Sequence, residues 1–561
     1  MRPLLALAAA GLLPWTVLAQ APKPVVPDDV VASVRARVEA GRVPGIVVGI
    51  VSPGGETYLS HGVLAIGKPG TVNEDTIFEI GSITKTFTGL LLADMARREE
   101  VQFDDPVRKY LPDGARPPSS GKREITLLDL ATQRSGLPRL PGNLAPADAS
   151  DPYVDYTPEK LQAYLAKAEL EHPVGSTYAY SNLGVGLLGY ALSRAAKTDY
   201  GTLVRERIAI PLGMTVTSLD VDPALSARLA QGYDADGAEV VPAKPWTWRK
   251  TSCLAGAGGL RSTAREMLRY LAANAGLTES KLAGAMADAA KERAEAGSPG
   301  MAIGLGWHHR KRTDGVTVWH NGGTGGFRSF CGFDPKTKTG VVVLANTTAG
   351  IDDIGFHLLD PGSPLQDAAK AVAVPEAKLA RLDGHYDLGG GAIIHVTHEG
   401  TQLYAQLTGQ QRYPVFARSE TVFFFRVVPA ELEFDLGADG TVGQVTLHQA
   451  GRHMPAKRLA AEAAPKERVE VPIDPKLLAE YAGAYALAPG VVLDCAVEAG
   501  HLACQLTGQT RFPVYADSES TFFYKIVDAQ LVFTRNAAGK VDGVVLDQGG
   551  ASQRAERIAS P

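Results

Sequence analysis

A chain of 561 residues is longer than one hydrophobic core can serve, so several domains are expected. Its composition, 45% hydrophobic and 21% charged, is that of a globular protein and excludes a disordered or fibrous one. The formal charge of −5 is spread without long runs of one sign, and there is no basic stripe to hold a nucleic acid.

Residues 1–19 read as a signal peptide. Arg2 supplies the positive start, Leu4 to Leu18 the apolar stretch and Val17-Leu18-Ala19 the cleavage site. The apolar run is short for a membrane span and contains Pro14, and no cysteine follows it to carry a lipid. No later stretch is long and apolar enough to cross a bilayer. A secreted, periplasmic product without stable membrane insertion is expected.

Residues 27–360 alternate strand-like runs, such as 46–52 and 340–347, with helical stretches such as 85–99 and 183–196. They predict a mixed α/β domain with a full core and a cleft. Near its start stands Ser82-x-x-Lys85. Residues three apart share a helix face, so this spacing sets an ammonium beside a hydroxyl, and a lysine made neutral by burial can take the hydroxyl proton. The helix N-terminus also offers N–H groups to a developing oxyanion. Ser119-x-x-Lys122 has the same spacing but lies in a Pro/Ser/Gly loop without apolar periodicity. Behind Ser82, by contrast, Ile83, Phe87, Leu90, Leu91 and Met95 recur at helical spacing.

Tyr180-Ser181-Asn182 precedes a Gly- and Leu-rich helix. Two readings stand side by side here: a simple helix cap, or a tyrosine relaying a proton with an asparagine holding a substrate amide. His320-Asn321-Gly322-Gly323 opens a glycine-rich stretch. Its small residues would let a strand edge approach a ligand, and His320 would place a switchable charge nearby. His308-His309 is expected to be a solvated strand end. Neither cysteine pair has the spacing of a metal site, and His-Glu-x-x-His is absent, so no metal or organic cofactor is expected.

The C-terminal third is an internal repeat. QLTGQ at 406–410 recurs at 505–509, and the same displacement carries Gly384 onto Gly483, Tyr386 onto Tyr485 and Arg458 onto Arg557. Each unit, 377–459 and 476–558, alternates short apolar strands with turns, which predicts two sister all-β domains closed into small barrels. Cys495 and Cys504 would face each other across a hairpin turn at Ala499-Gly500. Either a disulfide or two small buried hydrophobes fits that placement.

The segment FEIGSITKTFTG, the Tyr-Ser-Asn triplet and HNGGTGGFRSFCGFDP followed by VVVLANTT resemble, in order and spacing, three signature regions. These are the regions of the class C β-lactamases and their relatives, the D,D-peptidases, D-aminopeptidases and lipase-like esterases. The resemblance runs from roughly residue 30 to 350, and the barrels, which resemble lipocalin-like domains, lie outside it. It implies a serine β-lactamase-like fold, an antiparallel sheet flanked by helices, and hydrolysis through an acyl-enzyme without a cofactor. Ser82 would be the nucleophile, and Lys85 and Tyr180 the general base and acid. The N–H groups of Ser82 and Gly323 would form the oxyanion hole. Asn182 would orient the acyl group, and His320, Gly322 and Asn346 would also line the substrate, with Asn346 near its carboxylate. The implied substrate is a β-lactam or a D-amino-acid peptide; a short acyl ester is the alternative, as is a non-catalytic penicillin-binding or wall-sensing role. Three positions depart from the class C pattern: His320 stands where lysine is usual, Arg328 where a small residue is usual, and Leu140 where an amide is usual. Arg328 leaves open a substrate carboxylate or solvent as its partner, with solvent favoured.

Overall fold

The structure is a computed structural model. It describes residues 21–558 apart from 236–239, 367–370, 390, 409, 411, 426–427, 429, 438–439, 450–451, 461–469, 489–490, 499, 508–510, 525–528 and 549–550. The expected signal peptide at 1–19 lies outside the described residues, and no described helix is long and apolar enough to cross a membrane. The chain divides into two units, Met1–Ala368 and Ala369–Pro561.

The first unit is built on an eight-stranded antiparallel sheet. Its order from one edge is Gly55–Gly62, Gly45–Ser52, Thr339–Ala345, Arg328–Asp334, Val316–Gly323, His308–Lys311, Met301–Ile303 and Ala294–Glu295. Alternate residues of a strand point to opposite faces. Ile46, Val48 and Ile50 therefore join Val341 and Val343 on one face, under the helices Asp28–Glu39 and Asp352–Leu359. Val47 and Val51 join Val342 and Leu344 on the other, against the helix Ala264–Asn274 and the large core. A strand that is apolar on both faces belongs in the middle of such a layer.

The helix Thr84–Arg97 runs through that large core, with every residue from Thr84 to Met95 buried. A helix apolar on all sides is stable only when surrounded. Phe87 stacks on Tyr270 with ring centroids 4.2 Å apart, and neither ring is exposed. Phe87→Ala is expected to cost about 3–5 kcal/mol of stability, read as a lowered melting temperature, because the cavity cannot collapse onto a rigid helix pair.

The second unit contains two closed eight-stranded barrels, with strands from Gly384–Gly389 to Arg452–Arg458 and from Gly483–Ala488 to Ala551–Ile558. Their interiors are filled by side chains such as Val396, Leu432, Phe434 and Val445 in the first, and Leu493, Leu502, Leu531 and Val544 in the second. Closure explains which residues the repeat retains. First and last strands pair through Tyr386 opposite Arg458 and Tyr485 opposite Arg557. Each tyrosine hydroxyl donates to a carbonyl just upstream, Leu382 at 2.6 Å or Tyr481 at 2.8 Å. Each arginine lies over its tyrosine ring and donates to backbone carbonyls at the same seam, Arg381 and Glu480 among them. Cys495 and Cys504 are cross-strand partners and form a disulfide, which decides between the two readings of that pair; Cys253 and Cys331 are free and buried.

Candidate active site

Ser82 sits in a 3-10 turn, Gly81–Ile83, that leads into the buried helix at Thr84. The helix puts Lys85 one turn on, beneath the serine. Lys85 Nζ lies 2.9 Å from Ser82 Oγ, 2.8 Å from Asn182 Oδ1 and 2.6 Å from the Ala257 carbonyl, and the side chain is wholly buried. Among the described residues no carboxylate pairs with it, and burial, aided by the Arg139 charge, holds its ammonium well below the usual lysine range. A neutral amine within hydrogen-bond reach of a hydroxyl is the geometry a general base needs.

The second segment is a helix cap whose flanking residues reach the Ser82 turn. Ser181 alone caps the helix Asn182–Ala195, accepting from Gly184 N at 2.8 Å and donating to the Pro138 carbonyl at 2.6 Å. Its neighbours on either side are thereby turned into the cleft. The Tyr180 hydroxyl faces Ser82, and Lys85 Nζ stands 4.8 Å from the tyrosine ring centre. Burial pushes the Tyr180 hydroxyl up to about 12, so it carries its proton at neutral pH.

The third segment is the strand Val316–Gly323, an inner strand whose end lies against the Ser82 turn. Gly81 has φ +48°, and a methyl placed on it would be 2.7 Å from Gly323 N. That approach brings the amide of Gly323 to the turn that holds Ser82. Gly322 packs as closely on the Ile80 carbonyl.

His320 differs from its expected switchable role. It is 1% exposed, its Nδ1 faces the Asn321 carbonyl at 2.6 Å, and burial first, then His308 and Lys85, keep it neutral well below the ordinary histidine range. His308 and His309 are likewise not a solvated strand end. Their strand pairs on both sides, with Ile303 and Trp319 both opposite His308, so both rings are buried. His308 Nε2 meets Tyr178 Oη at 2.8 Å, and its ring lies 4.9 Å from that of His320. Asn346 is fully buried and its amide is taken up by the Val63 and Leu64 carbonyls, both at 3.3 Å. It anchors that segment and does not join the cluster of Ser82, Lys85, Tyr180 and Asn182. Arg328 is half-buried, and its Nε donates to the Thr348 carbonyl at 2.8 Å, so the favoured solvent orientation does not hold; Leu140 is exposed.

Several site residues have no signal in the sequence. Arg139 lies 5.1 Å over the Tyr180 ring. Tyr153 packs on Trp246 and Trp248 at 5.2 and 4.7 Å, and Trp246 Nε1 would be 2.9 Å from a methyl on Gly325. The buried Glu79–Arg261 ion pair supports this wall: Glu79 accepts from Trp246 N at 3.1 Å and from Arg261 Nη2 at 2.9 Å. Burial raises the Glu79 carboxyl despite that partner. These residues come from two loops and from the short strands that hold Glu79 and Arg261, and only tertiary folding brings them together.

A helix-borne serine over a buried lysine, beside an antiparallel sheet flanked by helices, defines a serine hydrolase. The family described as Beta-lactamase matches residues 30–358, and the chain belongs to it. A second match, to a domain of unknown function called DUF3471, covers residues 368–462 and 467–557, the two barrels. Among curated relatives, the chain is 27% identical over 357 residues to a beta-lactamase of Lysobacter lactamgenus, covering 58% of this chain and 88% of the relative. It is 30% identical over 338 residues to the D-alanyl-D-alanine-carboxypeptidase/endopeptidase AmpH of Escherichia coli K12, covering 56% and 84%. Among solved structures, a beta-lactamase/D-alanine carboxypeptidase of Yersinia pestis complexed with citrate aligns with TM-score 0.50 and 26% identity, over 57% of this chain and 92% of that one. The corresponding protein of Pseudomonas syringae aligns with TM-score 0.51 and 22% identity, over 60% and 99%, and shares the fold.

Proposed function

We propose that this protein is an exported hydrolase that opens the amide of a β-lactam or a D-amino-acid peptide through an acyl-Ser82 intermediate. The observation that carries the reading is the 2.9 Å contact between Ser82 Oγ and a fully buried, carboxylate-free Lys85 Nζ. The names of the curated relatives, beta-lactamase and D-alanyl-D-alanine-carboxypeptidase, support the two substrate classes.

Ser82 Oγ attacks the carbonyl carbon as its proton passes to neutral Lys85. The carbonyl oxygen becomes an oxyanion between the amides of Ser82 and Gly323. Tyr180, which holds its proton at neutral pH, gives it to the departing nitrogen and is reprotonated from Lys85. Water then attacks the ester, the same groups move its proton, and the free acid leaves. Asn182 shares its amide between Lys85 and the acyl group, and Gly322 keeps the strand edge close. His320 shapes the cleft as a neutral ring.

The test is incubation of the mature protein with benzylpenicillin, following intact mass and mapping any adduct by peptide digestion. A penicilloyl adduct on Ser82 is expected. A short-lived adduct with drug turnover assigns a β-lactamase, and a persistent one a peptidase that the drug traps. An adduct elsewhere, or none on folded protein, sinks the β-lactam reading in favour of esters. Export is tested by the N-terminus of the protein recovered from the periplasm, expected to follow Ala19.

A further inference from the structure

The cleft has several basic groups, and one of them stands apart. Lys85 is buried, with its ammonium held well below the usual lysine range, and His320 is buried and neutral. Arg328 is tied to the Thr348 carbonyl and shares its field with Asp352. Arg139 is exposed, and among the described residues no carboxylate forms an ion pair with it. Its guanidinium is nonetheless held in place, 5.1 Å over the Tyr180 ring. Its own carbonyl accepts from the amides of Asn182 at 2.9 Å and Leu183 at 3.2 Å, which locks its backbone to the start of the site helix. The preceding residue is pinned too, through the bond from Ser181 Oγ to the Pro138 carbonyl. An arginine that is fixed at its backbone, stacked on a site ring and without an anion is poised for an anion brought by a ligand.

We infer that Arg139 is the specificity residue of this site and reads a carboxylate on the leaving-group side of the substrate. This rests on the acyl-enzyme reading above, in which Tyr180 serves the leaving group; a cation stacked on Tyr180 stands on that side of the scissile bond. The same charge reaches Lys85, Tyr153, Tyr178 and Tyr180, in each case after the larger effect of burial. Arg139 is therefore a binding residue for the carboxylate and a positioning residue for the proton relay.

Two esters of phenylacetylglycine separate these roles. In one the leaving group is m-hydroxybenzoate, which carries a carboxylate; in the other it is neutral phenol. Both yield the same acyl-enzyme, so deacylation is common and any difference in kcat/KM belongs to binding and acylation. The wild type is expected to favour the anionic ester. Arg139→Gln is expected to lower that preference about tenfold, Arg139→Lys to keep part of it, and added salt to weaken it in the wild type and in Arg139→Lys but not in Arg139→Gln. Melting temperature and labelling of Ser82 by a neutral fluorophosphonate report that each variant is folded. If the wild type cleaves both esters and Arg139→Gln leaves their ratio unchanged, the assignment of Arg139 is overturned while the acyl-enzyme reading stands. If the folded wild type cleaves neither ester and takes no label, that reading falls and this inference with it.

Discussion

Ser82→Ala is expected to lower kcat/KM about ten-thousandfold or more, and Lys85→Met to come within about tenfold of that loss. The two side chains act as one unit across a 2.9 Å contact, so the double variant is expected to be no worse than Ser82→Ala alone. Steady-state hydrolysis by the three proteins checks this. Full additivity of the two losses would mean that Lys85 does not act through Ser82.

The pH dependence carries a sign that can be tested separately. Lys85 works as the neutral amine, so activity should fall as pH drops through its lowered folded value, and Tyr180 should not limit the alkaline side below about pH 10. His320→Gln should leave that acid limb in place, because the His320 ring is already neutral there. The stability sign follows from the same shift. Between the folded value of Lys85 and its unfolded value of about 10.4, the unfolded chain binds the extra proton, so stability rises with pH across that window. Lys85→Met should flatten this rise in denaturant titrations; an unchanged slope would mean that Lys85 is charged in the folded state.

Gly81→Ala is expected to reduce the acylation rate about a hundredfold while the protein still folds. The left-handed φ of +48° alone costs an L-residue about 1–2 kcal/mol. The larger effect is local: the new methyl would sit 2.7 Å from Gly323 N and must push the strand end from the Ser82 turn. The two amides proposed for the oxyanion then no longer converge. The measurement is the pre-steady-state rate of penicilloyl formation together with the melting temperature. A rate within about threefold of wild type would remove Gly323 from the oxyanion hole.

The elements with strong local signals are legible in the sequence. Apolar runs 46–52 and 340–347 form adjacent inner strands, and 85–99 and 183–196 form helices within a few residues of the expected ends. The spacing of Ser82 and Lys85 places them on one helical turn, and the matching Tyr386 and Tyr485 mark two units that each close on themselves. Such features are local or periodic, so the chain encodes them over a few residues or by repetition. What surrounds them was not legible. His308 and His309 look like a polar strand end, but strands on both sides bury them. Asn346 lies in a signature stretch, and its side chain packs on Val63 and Leu64. His320 is a titratable residue by type, and burial beside Lys85 and His308 keeps it neutral. Arg139, Tyr153 and Trp246 carry no pattern at all, because the loop of the first two meets the loop of Trp246 only in the folded chain. The sequence by itself determined the pair of side chains proposed to react, since helix geometry joins Ser82 to Lys85. Only the tertiary structure decided their charge states and the walls of the cleft, since desolvation and the field of Arg139 depend on chain segments that meet only in the folded protein.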